Sequence, residues 1–195
     1  MRVGVVLAGG QSRRMGRDKA LMLYQGERLV DRALRKLGSQ VDILLLNRRT
    51  RPENLDPKIQ LICDQFGGFQ GPLAGVHAAL SHLVQTGLED AELFTVPVDG
   101  PFIPSDFVSR LQNARTAVAF ANSNGQRHPV FSRWPMTAYS KIQDALSKGE
   151  RKIDRVAEQF GFSDVTWEPI RNSAGGVLDP FANVNTIAQY EALSS

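Results

Sequence analysis

Residues Met1–Leu21 read MRVGVVLAGGQSRRMGRDKAL, and this stretch decides the fold. Val3–Leu7 is an unbroken apolar run, as expected of a strand buried on both faces of a parallel sheet. It opens at once into Gly9 and Gly10, which have no Cβ, so the backbone can bend sharply and aim its N–H groups at an anion. Arg13, Arg14, Arg17 and Lys19 follow directly, a set of cations able to neutralise charge that the amides cannot reach. The combination predicts a nest for a polyphosphate. Neither common phosphate loop accounts for it. G-x-x-x-x-G-K-[ST] requires a hydroxyl residue after the lysine, whereas Lys19 precedes Ala20, and G-x-G-x-x-G is absent.

Working outward, apolar strand patterns alternate with helical ones. Arg28–Leu37 places Leu29, Val30, Ala33, Leu34 and Leu37 on one helical face, with Gly38 as its stop. Val41–Leu46 reads as a second strand ending at Asn47, and Ile59–Cys63 as a third ending at Asp64. After the loop Gln65–Gly71, a helix starts at Pro72, where proline suits the first turn. Its expected buried stripe is Leu73, Val76, Leu80, Leu83 and Val84. Leu93–Val98 is the next strand and ends at Asp99. This alternation predicts an α/β domain, with a mostly parallel central sheet and helices on both faces. Ligands of such sheets sit beyond the carboxyl ends of the strands. Gly9–Gly10, Asn47, Asp64 and Asp99 all fall there.

The second half is less regular. Ala117–Ala121 and His128–Phe131 read as strands flanking a turn over Asn122–Gln126. Tyr139–Leu146 and Ile153–Phe160 read as helices, the latter stopped by Gly161. Asp164–Trp167 reads as a strand, and Thr186 as the cap of a last helix running to Leu193. With no repeat, low-complexity tract or linker, residues 1–195 are expected to form one domain.

Bulk composition narrows the classes. The 195 residues are 42% hydrophobic and 22% charged, with a net charge of +3. That is ordinary for a globular domain and too weakly basic to argue for nucleic acid. The arginines Arg48, Arg49 and Arg51 form a small patch without interleaved aromatics, either beside an acceptor or simply solvated. Cys63 is the sole cysteine, so no internal disulfide or thiolate-rich metal site is possible. Met1–Val6 is too short for the apolar core of a signal peptide, and no run approaches the ~20 apolar residues of a membrane helix. The expected compartment is the cytoplasm, with no membrane partner.

The pattern L-A-G-G-x-S-x-R-M-G-x-D-K-A-L over Leu7–Leu21 resembles the molybdenum cofactor guanylyltransferase (MobA) family of nucleotidyltransferases. Further motifs follow in the family's order: GPLAG at Gly71–Gly75, PVDGPFIP at Pro97–Pro104 and FANVNT at Phe181–Thr186. The resemblance covers essentially the whole chain. It implies a three-layer, Rossmann-like nucleotidyltransferase fold whose residues 1–115 bind GTP and Mg²⁺ and whose residues 116–195 bind the acceptor. The activity implied is transfer of GMP from GTP to the phosphate of Mo-molybdopterin, giving the guanine dinucleotide and pyrophosphate. The resemblance leaves open a partner that delivers molybdopterin or a molybdoenzyme chaperone.

Residue by residue, Asp99 is the expected metal ligand. A carboxylate at a strand end suits Mg²⁺, which takes one or two carboxylates with phosphate oxygens and water. Leu7, Ala8, Gly9, Gly10 and Lys19 would hold the nucleotide phosphates, with Arg14, Lys19 and Asp99 acting in the chemistry and Arg13 and Arg17 as helpers or surface charges. By resemblance, Asn47 and Asp64 contact the nucleoside, and Gly75 belongs to the segment that closes over the guanine. Asn183 and Asn185, alternate residues on one side of an extended segment, would face the acceptor phosphate or the metal. Arg151 and Lys152, in Gly149–Lys152, would pair with the pterin's phosphate or be a solvated turn. His128 is open between structure and catalysis. Rival readings are a cytidylyltransferase or other nucleotidyltransferase of the same fold, which more often shows Leu-Ala-Ala-Gly and D-x-D-T, and a non-catalytic guanine-nucleotide module.

Overall fold

The computed structural model describes residues 1–9, 18–67, 71–171 and 176–183. The expected roles of Gly10, Arg13, Arg14, Arg17 and Asn185, and the helix expected after Thr186, lie outside the described residues.

The elements follow the order β1 (Arg2–Leu7), α1 (Leu29–Gly38), β2 (Ile43–Asn47), β3 (Gln60–Ile62), α2 (Pro72–Gln85) and β4 (Glu92–Pro97). Then come α3 (Phe107–Gln112), β5 (Val118–Ser123), β6 (Gln126–Pro135), α4 (Ala138–Ser147), α5 (Ile153–Ala157) and β7 (Phe162–Trp167). The strands form one seven-stranded sheet in the order β3-β2-β1-β4-β6-β5-β7. All run parallel to β1 except β6, which is antiparallel to both of its neighbours. The α/β expectation holds.

Helices cover both faces, as the strand patterns require. Val3, Val5 and Leu7 of β1 pack into a core with α2, α4 and α5. Val6 and Ala8 point the other way, into a core with α1 and α3. Gly4 makes the α1 side possible, because a Cβ there would lie 2.8 Å from Leu37 Cδ2. Leu29, Val30, Ala33, Leu34 and Leu37 are buried along α1 as expected, each large side chain worth about 1.5–3 kcal/mol relative to exposure. In α2 the buried surface is wider than a stripe, running from Leu73 through Ser81 with Leu83. Val84, expected inside, is exposed. The helix is sandwiched between the sheet and α4, so nearly its whole circumference is covered except where Val84 faces out.

The second half departs from its expected boundaries. The turn is two residues, Asn124 and Gly125, with φ of 50° and 74°, the conformations a tight hairpin demands. It follows that β5 runs on to Ser123 and β6 begins at Gln126. The register then shifts: Phe120 faces Ser132, but Ala121 faces His128. Pro129 has no N–H to give to a ladder, and a bulge is where a sheet tolerates that. Ile153–Phe160 is an α-turn followed by a 3₁₀ turn, and Gly161 ends it with φ 65°. The elements that escape the sequence patterns include α3, a small hairpin of Leu23–Tyr24 with Glu27–Arg28, and the antiparallel pairing of Ile170–Arg171 with Val177–Leu178.

Candidate active site

Strand order reverses at β1. Its two parallel neighbours, β2 and β4, lie on opposite sides of it, and Leu7 lies opposite both Asn47 and Pro97. This is the topological switch point at which open α/β sheets bind ligands. A cleft of about 240 Å³ opens there, lined among others by Leu7, Gly9, Asn47, Asp64, Asp99 and Asn183. Four strand ends and the distant Phe181 segment therefore meet in one place.

On one wall, Asn47 is buried, and its Nδ2 donates to Asp64 Oδ1 at 2.9 Å. Two glycines make room for its carboxamide. A Cβ on Gly9 would lie 3.1 Å from Asn47 Oδ1, and one on Gly75 would lie 3.0 Å from the same atom and 2.7 Å from Leu7 Cδ2. Ala8 N donates to the Asn47 carbonyl at 3.0 Å, extending β-type pairing to the lip of the cleft.

On the other wall, Lys19 Nζ donates to Asp99 Oδ2 at 2.6 Å. Asp99 begins a turn whose carbonyls are held from α1 and the residue pair following it. Arg32 Nε donates to Pro101 O at 3.0 Å, Lys36 Nζ to Ile103 O at 3.3 Å and Gln40 Nε2 to Pro104 O at 2.9 Å. The spacing of four puts these donors on one line of the helix. Gly100 packs against the tip of the Phe131 ring, where a Cβ would fall 2.2 Å from Cζ. Lys19 comes to the same place through the short hairpin, because Tyr24 packs edge-on against Phe102 at 5.6 Å, and Arg32 lies over Tyr24 at 4.9 Å.

The residue before Lys19 is tied down as well. Asp18 caps the 3₁₀ turn Lys19–Leu21 by accepting from Ala20 N at 3.1 Å. Its carboxylate also takes a two-pronged bond from Arg48, whose Nη1 lies 3.1 Å from Oδ1. That bond holds the Asp18 carboxyl below the usual carboxylate range. Arg48 is thus a partner of the basic turn, not a member of a free surface patch. Arg32, Lys36, Gln40 and Arg48 had no local sequence signal, since their partners are backbone carbonyls or a distant aspartate.

The remaining sequence-predicted residues divide. Asn183 lines the cleft. Arg151 Nη1 donates to the carbonyls of Leu146 and Glu150 at 3.0 and 2.8 Å, closing the end of α4. Lys152 is exposed. Neither borders the cleft. His128 is largely buried, and its Nε2 lies 2.7 Å from Ser123 Oγ. Burial pushes the His128 pKa down, with the Asp179 carboxylate opposing.

Known proteins resemble this chain in sequence and fold. Residues 4–162 match the model of the MobA-like NTP transferase domain. The chain is 38% identical over 188 residues to a molybdenum cofactor guanylyltransferase of Rhizobium leguminosarum bv. trifolii (strain WSM2304), covering 94% of this chain and 87% of the relative. The chain belongs to the MobA-like NTP transferase family. A second relative of the same name, from Sinorhizobium fredii (strain NBRC 101917 / NGR234), is 36% identical over 96% of this chain and 88% of its own length. In fold, this MobA-like transferase is similar to the crystal structure of molybdopterin-guanine dinucleotide biosynthesis protein A from Archaeoglobus fulgidus. The TM-score is 0.73 at 21% identity, over 100% of this chain and 97% of the other. The same fold extends to the 2-C-methyl-D-erythritol 4-phosphate cytidylyltransferase of Francisella tularensis, with a TM-score of 0.70 at 12% identity over 98% and 97% of the two chains.

Among the described residues, no group of three or more His, Cys, Asp or Glu is placed to hold a metal ion. Asp64 and Asp99 are the carboxylates bordering the cleft. A single carboxylate such as Asp99 suits a hard cation such as Mg²⁺, which completes its shell with phosphate oxygens and water. Among the described residues, no helix is long and apolar enough to cross a membrane.

Proposed function

We propose that this chain transfers GMP from GTP to the terminal phosphate of Mo-molybdopterin, forming the guanine dinucleotide and pyrophosphate. The observation that carries the reading is the meeting of Lys19 and Asp99 at the switch-point cleft, 2.6 Å apart, opposite the Asn47–Asp64 pair. One wall offers a cation and a carboxylate for a metal-bound triphosphate. The other offers amide and carboxylate groups for a nucleoside. The guanylyl assignment is favoured over a cytidylyl one by relatives 33–38% identical that share the guanylyltransferase name, against 12% for the cytidylyltransferase neighbour. Both Lys19 and Asp99 are present, which disfavours a module that only binds nucleotide.

In the mechanism, the acceptor phosphate attacks the α-phosphorus of GTP in line, and the α–β bridging bond breaks to release pyrophosphate. The nucleophile is already an anion, so the protein has no need of a strong base. Its task is alignment and charge neutralisation. The bend after Leu7 and Lys19 would hold the phosphates and the leaving pyrophosphate. Asn47 and Asp64 would orient the nucleoside, and Asn183 would meet the acceptor side. Asp99 would hold Mg²⁺, which supplies charge stabilisation at the reacting phosphate. A related structure, Rv0371c of Mycobacterium tuberculosis, is described as a complex with manganese, in keeping with a divalent ion here. We place the reaction in the cytoplasm, with molybdopterin arriving free or carried by a delivering protein.

The test is incubation with Mg-GTP and molybdopterin, followed by mass detection of the dinucleotide, with ATP, CTP and UTP in parallel. Dinucleotide from GTP alone is the expected result. Preference for CTP would overturn the guanine assignment, and GTP binding without pyrophosphate release would overturn the transferase reading.

A further inference from the structure

Asp179, just before the Phe181–Asn183 segment, is a heavily hydrogen-bonded carboxylate. Its Oδ1 accepts from Ser123 Oγ at 2.6 Å and from Phe181 N at 2.8 Å. Its Oδ2 lies 3.4 Å from Asn124 Nδ2. Its own carbonyl accepts from Ala182 N at 3.1 Å. One side chain therefore shapes the turn Asp179–Ala182 and ties it to the end of the β5–β6 hairpin. Phe181, carried by that turn, is fully buried against His128, Phe131 and Trp167 at centroid distances of 5.3, 4.9 and 5.1 Å. Asn183 comes next and borders the cleft.

Proton counting fixes the direction of the hydrogen-bond chain. An ionised carboxylate only accepts, so the single Ser123 hydroxyl proton points at Asp179. Ser123 Oγ can then only accept from His128, whose Nε2 lies 2.7 Å away. His128 is therefore the Nε2–H tautomer, and the chain runs His128 to Ser123 to Asp179. The bulge at Pro129 follows directly on His128, and Val130 beyond it borders the same cleft as Asn183.

We infer that Asp179 and Ser123, oriented by His128, are positioning residues that set Asn183 in the acceptor side of the cleft. The inference rests on the acceptor-side reading of Asn183 given above. The nucleoside wall, built from β1 to β3 and α2, shares none of the bonds named here, so the effect is expected on the acceptor side of the cleft.

A double-mutant cycle on the full chain tests it, reading KM for GTP, KM for molybdopterin and kcat for Asn183→Ala, Asp179→Asn and the double variant. Each single change should raise the molybdopterin KM about tenfold while leaving the GTP KM in place, and the double should match Asn183→Ala alone, because the two act through one group. Multiplying effects in the double, about a hundredfold, would overturn the positioning role while leaving the acceptor reading intact. An Asn183→Ala variant with unchanged molybdopterin KM would overturn the acceptor reading, and the inference with it. Should Asp179→Asn fail to fold, Ser123→Ala, which removes one hydroxyl, replaces it in the cycle. Independently of activity, long-range ¹⁵N NMR of the His128 ring should show Nε2–H in the wild-type protein and lose that preference in Ser123→Ala. An Nδ1–H ring in the wild type would overturn the chain's direction.

Discussion

Lys19 and Asp99 are separated by eighty positions in the chain, yet their side chains meet at 2.6 Å, each less than a quarter exposed. Two independent anchors bring them there: the Tyr24–Phe102 contact and the donors on and just after α1 that hold Pro101, Ile103 and Pro104. The pair is a charged contact that ligand binding would have to remodel, since the same two groups are proposed to serve the phosphates and the metal. Removing the carboxylate should therefore act on chemistry far more than on folding. Asp99→Ala is expected to cost at least about 10²-fold in Mg²⁺-dependent turnover, the scale of losing one charge-stabilising group. Its urea midpoint should stay close to the parent's. Lys19→Ala should weaken GTP binding and turnover together. Near-normal turnover of the Asp99 variant, in a steady-state assay, would remove it from the metal role.

Asn47 is wedged between two backbones, and this gives a sharper test of the nucleoside wall. A methyl on Gly9 or Gly75 would come within 3.1 or 3.0 Å of Asn47 Oδ1, tighter than ordinary van der Waals contact. Gly75→Ala also meets Leu7 at 2.7 Å. Helix propensity favours alanine there by up to about 1 kcal/mol, while overpacking costs about 1–3 kcal/mol, so the net loss of stability should be small. The displaced carboxamide should matter more. Either substitution is expected to raise the KM for GTP, and to raise it more than it alters Tm. Isothermal titration with GTP checks this, and unchanged affinity in both variants would take Asn47 out of nucleoside recognition.

How far the sequence predicted these features depends on the kind of signal each left. The strand-end residues Gly9, Asn47, Asp64 and Asp99 were legible because buried parallel strands are apolar throughout and change character abruptly where they leave the sheet. The α1 stripe was legible for the same reason. The six-residue α3 is too short to show a period, and Val84 was misplaced because α2 is covered by α4 as well as by the sheet. The Asn124–Gly125 hairpin did carry a local signal, the Asn-Gly pair, which sets the turn at two residues instead of five. Arg48, Arg32, Lys36, Ser123 and Asp179 left none. They act through partners far along the chain, and no periodicity records a partner's position.

Arg133 is an example of such a hidden structural residue, and it yields a stability prediction. It is buried in β6, and its guanidinium donates to the carbonyls of Leu111 and Gln112 at 2.8 and 2.6 Å, of Ala117 at 3.1 Å and of Thr116 at 3.3 Å. Glu92 lies 3.4 Å away. One planar fork thus closes the end of α3 and the loop into β5. Arg133→Met should destabilise by about 1–3 kcal/mol, because it leaves several buried carbonyls without a donor, while Glu92, partly exposed, keeps its bond from Gln112 Nε2 at 2.7 Å. Arg133→Lys should recover only part of this, since an ammonium cannot span the fork. Urea denaturation decides; a loss under about 1 kcal/mol for Arg133→Met would mean the carbonyls find other partners.

His77 presents the opposite case, a buried polar ring held by packing. It is 2% exposed, and neither ring nitrogen has a hydrogen-bond partner among the described residues. Tyr139 stacks on it at 5.2 Å and Phe66 meets it edge-on at 5.0 Å. Burial pushes its pKa below the ordinary 6.5, with the Asp64 carboxylate opposing. The folded protein therefore keeps this ring neutral where the unfolded chain protonates it. Below about pH 6.5 the unfolded state binds more protons, and stability falls as pH drops from there toward the lowered folded value. His128, depressed in the same direction by burial, adds to that slope. His77→Phe keeps the aromatic packing and removes the titrating group. The variant should gain about 1 kcal/mol at neutral pH by deleting unsatisfied nitrogens. It should also lose part of the decline in stability between pH 6.5 and pH 5. Melting curves across that range settle it: an unchanged pH slope would show that His77 reaches water or a partner when it takes up its proton.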